Sequence, residues 1–142
     1  MRKAVIVVGS HHAGKSKTIN EYLKPKLGIG RYDHKFSLDG KQGTVLSQSR
    51  EEAAWQQGFV KSQTLEETGS CADVAQVVRK YSRYDLLVLA ARPVTDEHSC
   101  LEQLTSKLRG AGYRVNFLNV IKGQGERYYR RGAAEIFSHL VN

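Results

Sequence analysis

The chain has 142 residues, 40% of them hydrophobic and 25% charged, which suits one folded domain with its own core, at most with a tail, and argues against a disordered chain or a Pro-rich linker. No apolar run approaches the roughly 20 residues that span a bilayer. The five apolar residues after Met1-Arg2-Lys3 are too few for a secretory signal.

A single cytoplasmic domain over residues 1–142, with no membrane partner, is therefore expected. The net charge of +8 is uneven: ten Lys/Arg against three Asp/Glu in residues 1–50, five against eight in 51–100, seven against three in 101–142. Such a balance suits an anionic partner, whether nucleotide, nucleic acid or acidic surface, without choosing among them. Cys71 and Cys100 form no CxxC pattern. They read as helix-packing or surface thiols in a reducing compartment.

The first element is Lys3-Ala-Val-Ile-Val-Val8, apolar almost throughout, as a strand buried on both faces should be. It runs into Gly9-Ser-His-His-Ala-Gly14-Lys15-Ser16. A helix follows, with Ile19, Tyr22, Leu23 and Leu27 on one face, a kink or end at Pro25 and a stop at Gly28. Residues 35–38 and 44–47 alternate with period two around Asp39-Gly40, which predicts a hairpin of two short strands.

Residues 43–52 and 58–67 echo each other, with a Ser/Thr-x-x-Glu box in each, Ser49 with Glu52 and Thr64 with Glu67. Each copy reads as an extended segment entering a capped helix. Trp55, between them, would cover the core or an acceptor site. Helices over 70–82, 96–109 and 126–141 alternate with strands over 85–91 and 113–121. This alternation predicts an α/β fold with a mostly parallel sheet and helices on both faces.

Gly9-x-x-x-x-Gly14-Lys15-Ser16 fits the pattern GxxxxGK[ST] without departure and lies between a buried strand and a helix, the context that gives the pattern meaning. Glycines allow a tight turn, and the loop amides and the helix start face an anion. Lys15 can reach the outer phosphates, and the Ser16 hydroxyl can ligate Mg²⁺. In this the chain resembles the P-loop NTPase superfamily.

The resemblance implies a three-layer α/β/α sandwich and a nucleotide held at the C-terminal ends of the strands. By position, Gly9, Gly14 and Lys15 would hold phosphate, with Ser10, His11, His12 and Ala13 in the variable part of the loop. Ser16, with Lys17 and Thr18 beyond it, would hold Mg²⁺ and the α-phosphate. The family's second motif, an acid ending an apolar strand, is missing from Leu86–Leu89: that strand leads into Ala90-Ala91-Arg92, and its one acid, Asp85, is at the wrong end.

Asp39 is the candidate substitute, as acceptor ligand or base, since Phe36-Ser-Leu-Asp39-Gly40 is similar to the Leu-Asp-Gly-Asp stretch of adenylylsulfate kinases, with Lys41 for the second Asp. The alternative for Asp39 is turn chemistry. Arg92 and Lys122 leave two strands on the expected nucleotide side and are candidates for base or ribose contact. Arg127, Arg130 and Arg131, beside Tyr128 and Tyr129, form either a solvated basic face or an anion-binding face with tyrosine stacking.

The expected function is binding of a purine nucleoside triphosphate with Mg²⁺, ATP rather than GTP because no guanine signature is present, with slow hydrolysis or phosphoryl transfer. The alternatives are a regulatory nucleotide-binding module without turnover and a nucleic-acid-associated NTPase accessory factor. A protein partner could supply a missing group.

Overall fold

A computed structural model describes residues 2–39 and 55–142. Five strands, β1 (Arg2–Val8), β2 (Lys35–Asp39), β3 (Trp55–Thr64), β4 (Leu86–Ala91) and β5 (Tyr113–Asn119), form one sheet in the order β2-β3-β4-β1-β5. β1 pairs in parallel with β4 and β5, and β3 pairs in parallel with β4. Only β2 runs antiparallel, against β3. The fold is thus α/β with a mostly parallel sheet.

The partner of β2 is β3, in the register Lys35↔Phe59 to Asp39↔Trp55. The expected second hairpin strand, 44–47, and the first copy of the echo, 43–52, lie outside the described residues. The second copy is extended as expected. The Thr64 hydroxyl accepts from the Glu67 amide at 3.1 Å, but turns rather than a helix follow directly.

Helix α1 winds with wide turns over Lys17–Leu23 and closes as an ordinary turn over Lys24–Lys26, so Pro25 sits in its last turn without breaking it earlier. A single tight turn, Ser70–Asp73, precedes α2 (Val74–Tyr81), whose start is capped by Asp73 accepting from the Gln76 amide. α3 (Leu101–Gly110) begins five residues later than the pattern 96–109 suggests. Residues 92–99 are folded into turns instead, with Ser99 Oγ donating to the Arg92 carbonyl at 2.9 Å and the Asp96 carboxylate accepting from the His98 amide. α4 (Glu126–Val141) matches its expected bounds.

Two cores flank the sheet. On one face Val5, Val7, Val88 and Ala90 meet Ile19 and Leu23 of α1 and Ala133, Ile136 and Leu140 of α4. On the other, Ala4, Ile6, Leu87 and Leu89 meet Val74 and Val78 of α2 and Leu104 and Leu108 of α3. Alternate residues of β1 and β4 therefore serve opposite cores, which is why both strands are apolar without interruption. β5, at the edge, is not: Arg114 and Phe117 are exposed. Among the described residues no helix is long and apolar enough to cross a membrane.

The β2–β3 pair depends on one residue without a side chain. Phe36 lies opposite Gly58, and its ring occupies the space a Cβ there would need, 2.2 Å away. A glycine covered by a cross-strand aromatic is a recurring device for holding an edge. Gly58→Ala is expected to displace the ring and destabilise the protein by about 1–3 kcal/mol, read as a lowered melting temperature.

Candidate functional site

The parallel arrangement brings the C-terminal ends of β1, β3, β4 and β5 to one end of the molecule. The loop over residues 9–16 leaves β1 there, seated between its neighbours: the Gly9 amide donates to the Ala91 carbonyl at 3.2 Å, and the Val120 amide to the Val8 carbonyl at 2.7 Å. A methyl group on Gly9 would stand 3.0 Å from both the Val120 oxygen and the Ala13 Cβ.

Gly14 is constrained twice. Its φ of +105° suits glycine, and the Tyr129 ring of α4 lies 2.4 Å from where a Cβ would be. His12 also has positive φ, +60°, an uncommon backbone state for a residue with a side chain. The His11 and His12 rings lie 3.7 Å apart, centroid to centroid, and both residues are exposed.

Lys15 is only 5% exposed, and its ammonium arches back over the loop to donate to the carbonyls of Gly9 (2.6 Å) and Ser10 (2.7 Å). Burial holds its pKa below the ordinary lysine value of 10.5. Glu67 and Glu66 push it back up, and Arg92 pushes it down. These three charges therefore surround the lysine.

A cavity of about 410 Å³ opens over residues 11–16, closed on its far side by Ser62 of β3 and by Glu67. Ser16 is exposed and no side chain caps the start of α1, where the Thr18 amide donates to the Gly14 carbonyl at 2.9 Å. Lys17 points to solvent, 3.8 Å from Glu21. The Thr18 hydroxyl donates to the Gly14 carbonyl at 2.9 Å and is buried beneath the loop.

An acid pair, Glu66-Glu67, follows β3, the strand beyond β4 from β1. Of the pair Glu66-Glu67, the first is structural: its carboxylate accepts from the Arg92 amide at 3.1 Å and from the Cys100 amide at 3.0 Å. The second is exposed and lines the cavity. Sequence reasoning read Glu67 only as half of a capping box. The available signal was an acid pair ending an extended segment, obscured because Lys61-Ser-Gln63 makes that segment polar.

Arg92 leaves β4 beside this pair, with its guanidinium 3.8 Å from Asp96 and its Nε buried without an acceptor among the described residues. Lys122 is exposed on the β5–α4 loop, on the other side of β1. Asp39 does not join them. Because β2 is antiparallel, Asp39 stands opposite Trp55 at the start of β3, about 25–30 Å of strand from Glu67's end of the sheet.

Two further expectations change. Cys71 and Cys100 are not separate thiols: they are joined as a disulfide, with Cα atoms 5.8 Å apart, because the β3–α2 and β4–α3 loops converge. The inference of a reducing compartment loses its basis. Glu66 and the two sulfurs lie within 4.8 Å of one another, but a cystine offers no thiolate to a metal. Of the two α4 tyrosines, Tyr129 is not free to stack on a nucleic acid, and Tyr128 is half-buried. Tyr129 is buried and donates to the Ile121 carbonyl at 3.1 Å, while Tyr128 donates to the Asn119 carbonyl at 3.2 Å.

The site as built can hold a multiply charged anion against a lysine, with a carboxylate across the cavity. Such an anion stabilises the charged form of Lys15 and raises its depressed pKa. Affinity is therefore greatest below the Lys15 pKa and falls as pH rises through it, beginning below 10.5. Titration with inorganic tripolyphosphate from pH 7 to 10 should show this decline, and Lys15→Ala should flatten it. No family model matches the chain, and no curated protein or solved structure matches it either.

Proposed function

We propose that the chain is a P-loop-type nucleotide-binding protein, its helices and sheet forming the three-layer sandwich of that class. It binds a purine nucleoside triphosphate, ATP in preference to GTP, and cleaves or transfers the terminal phosphoryl group. The observation that carries this reading is the convergence of Lys15 and Glu67 across one cavity on a GxxxxGKS loop set between β1 and α1.

The positive end of α1 and the Lys15 ammonium bind the phosphates. The exposed Ser16 hydroxyl is a hard oxygen donor on this cavity, which fits Mg²⁺ beside the phosphates. That ion, when bound, offsets charge on the outer phosphates. Glu67 orients and takes a proton from the attacking hydroxyl, of water or of an acceptor. Arg92, paired with Asp96 at 3.8 Å in the loop beside Glu66, is the nearby cation that would meet charge developing in the transition state.

A smaller cavity of about 220 Å³, where Thr18 meets Asn119 and Tyr128, takes the nucleoside end. The presence of Glu67 favours turnover over a purely regulatory binding module. The test is titration with fluorescent ATP and GTP, with and without Mg²⁺, while phosphate release is followed in the same sample. Mg²⁺-dependent binding with release supports the reading, binding without release moves it to the regulatory module, and no binding removes it.

A further inference from the structure

Segment 66–73 contains no buried residue. A stretch with so little apolar contact is held by its specific ties or not at all. Apart from local turn bonds, its ties to the rest of the molecule are few. The Glu66 carboxylate accepts the amides of Arg92 and Cys100, and Cys71 is bonded to Cys100. Among the described residues these ties run to the loop that follows β4, and Cys71 also packs against the core on that face.

Both joined loops serve the site. Glu67 lies four residues before Cys71 in one, and Arg92 opens the other. The loop over 9–16 is anchored separately, by its hydrogen bonds to β4 and by the Tyr129 ring. One covalent bond therefore fixes the acid half of the cavity and leaves the phosphate-binding half untouched.

We infer that the Cys71–Cys100 bond is a redox control on turnover, resting on the nucleotide reading above: oxidised, it holds Glu67 and Arg92 together for chemistry, and reduced, it releases them while residues 9–16 still bind phosphate. The exchange balances with a small thiol as reductant. Two thiols surrender two electrons and two protons, becoming one disulfide, and the cystine becomes two cysteine thiols. The reverse reaction uses a small disulfide such as oxidised glutathione. Cys71 is half-buried and Cys100 only 4% exposed, so the small thiol attacks at Cys71 and Cys100 leaves. The buried sulfur sits at the start of α3, whose positive end favours the departing thiolate and partly offsets the Glu66 carboxylate within 4.8 Å of it.

The experiment compares wild type oxidised with glutathione disulfide, wild type reduced with dithiothreitol, and Cys71→Ser, which spares the buried cysteine. Three quantities are read: ATP affinity, phosphate release, and amide exchange over 66–73. Reduction is expected to lower kcat at least about tenfold, as loss of a positioned base does, with unchanged affinity. Exchange over 66–73 accelerates on reduction. Cys71→Ser matches the reduced protein and ignores the reductant.

Equal turnover and equal exchange in all three samples would overturn the inference and leave the bond a mere staple. Two free thiols that glutathione disulfide cannot join would overturn it as well. ATP binding with redox-indifferent turnover sinks this control alone. No ATP binding in either state sinks the nucleotide reading with it, and the exchange data then still report whether the bond orders the segment.

Discussion

Lys15→Ala is expected to weaken ATP·Mg²⁺ binding by about 10–100-fold, since a hydrogen bond to a charged group is worth about 1.5–3 kcal/mol. The fold should survive. Among the described residues the Lys15 ammonium hydrogen-bonds to carbonyls of its own loop, and its burial is a cost that the alanine protein no longer bears. An unchanged or slightly raised melting temperature with lost affinity is therefore the signature. Lys15→Arg should not rescue binding, because a planar guanidinium does not fit the close approach to the Gly9 and Ser10 oxygens that the compact ammonium makes. Calorimetric titration beside a thermal melt checks both. A Lys15→Ala protein that binds as wild type would remove the assigned site.

Glu67→Gln should lower kcat by about 10²–10³-fold, within the range attributed to a positioned general base, with affinity little changed. Its neighbour should behave differently. In Glu66→Gln one of two amide donors, from Arg92 or Cys100, would face a side-chain NH₂ instead of an oxygen, so the loss should appear first in stability. Asp39→Asn, at the opposite end of the sheet, should turn over as wild type. Phosphate release and melting curves on the three proteins separate these roles. If Glu67→Gln is fully active, the carboxylate across the cavity is a bystander and the regulatory module becomes the better reading.

The sequence displayed the parts of this molecule whose physics is local. β1 announces itself because both its faces are buried, and the loop 9–16 because its residue types are needed at fixed spacing. α4 is legible from Tyr129, Ala133, Ile136 and Leu140 at helical intervals. What stayed hidden depends on how strands are ordered. β4 lies beside β1 and ends without an acid, whereas the pair Glu66-Glu67 follows β3, one strand further out.

Asp39 looked promising by its neighbours in sequence and lost its place when β2 proved antiparallel, a direction that five residues cannot encode by themselves. Likewise Cys71 and Cys100 are 29 residues apart, and only the meeting of two loops brings them into bonding range. Tyr129 appeared as part of a basic, aromatic helix face. Its burial against Gly14 follows from the way α4 crosses the end of β5, which no periodicity reports.

The intervening position of β4 has a consequence for the size of what the cavity admits. Strands are spaced about 4.8 Å apart, so one strand between β1 and β3 sets the lysine-bearing and acid-bearing loops about 10 Å apart at the sheet. β4 ends in Ala90-Ala91, both fully buried and with the smallest side chains that keep a strand regular. The sheet thus works as a gauge. Its interior strand measures out the gap between cation and carboxylate, while the methyl groups at its tip turn to opposite faces, one into each core, and leave that gap to the loops.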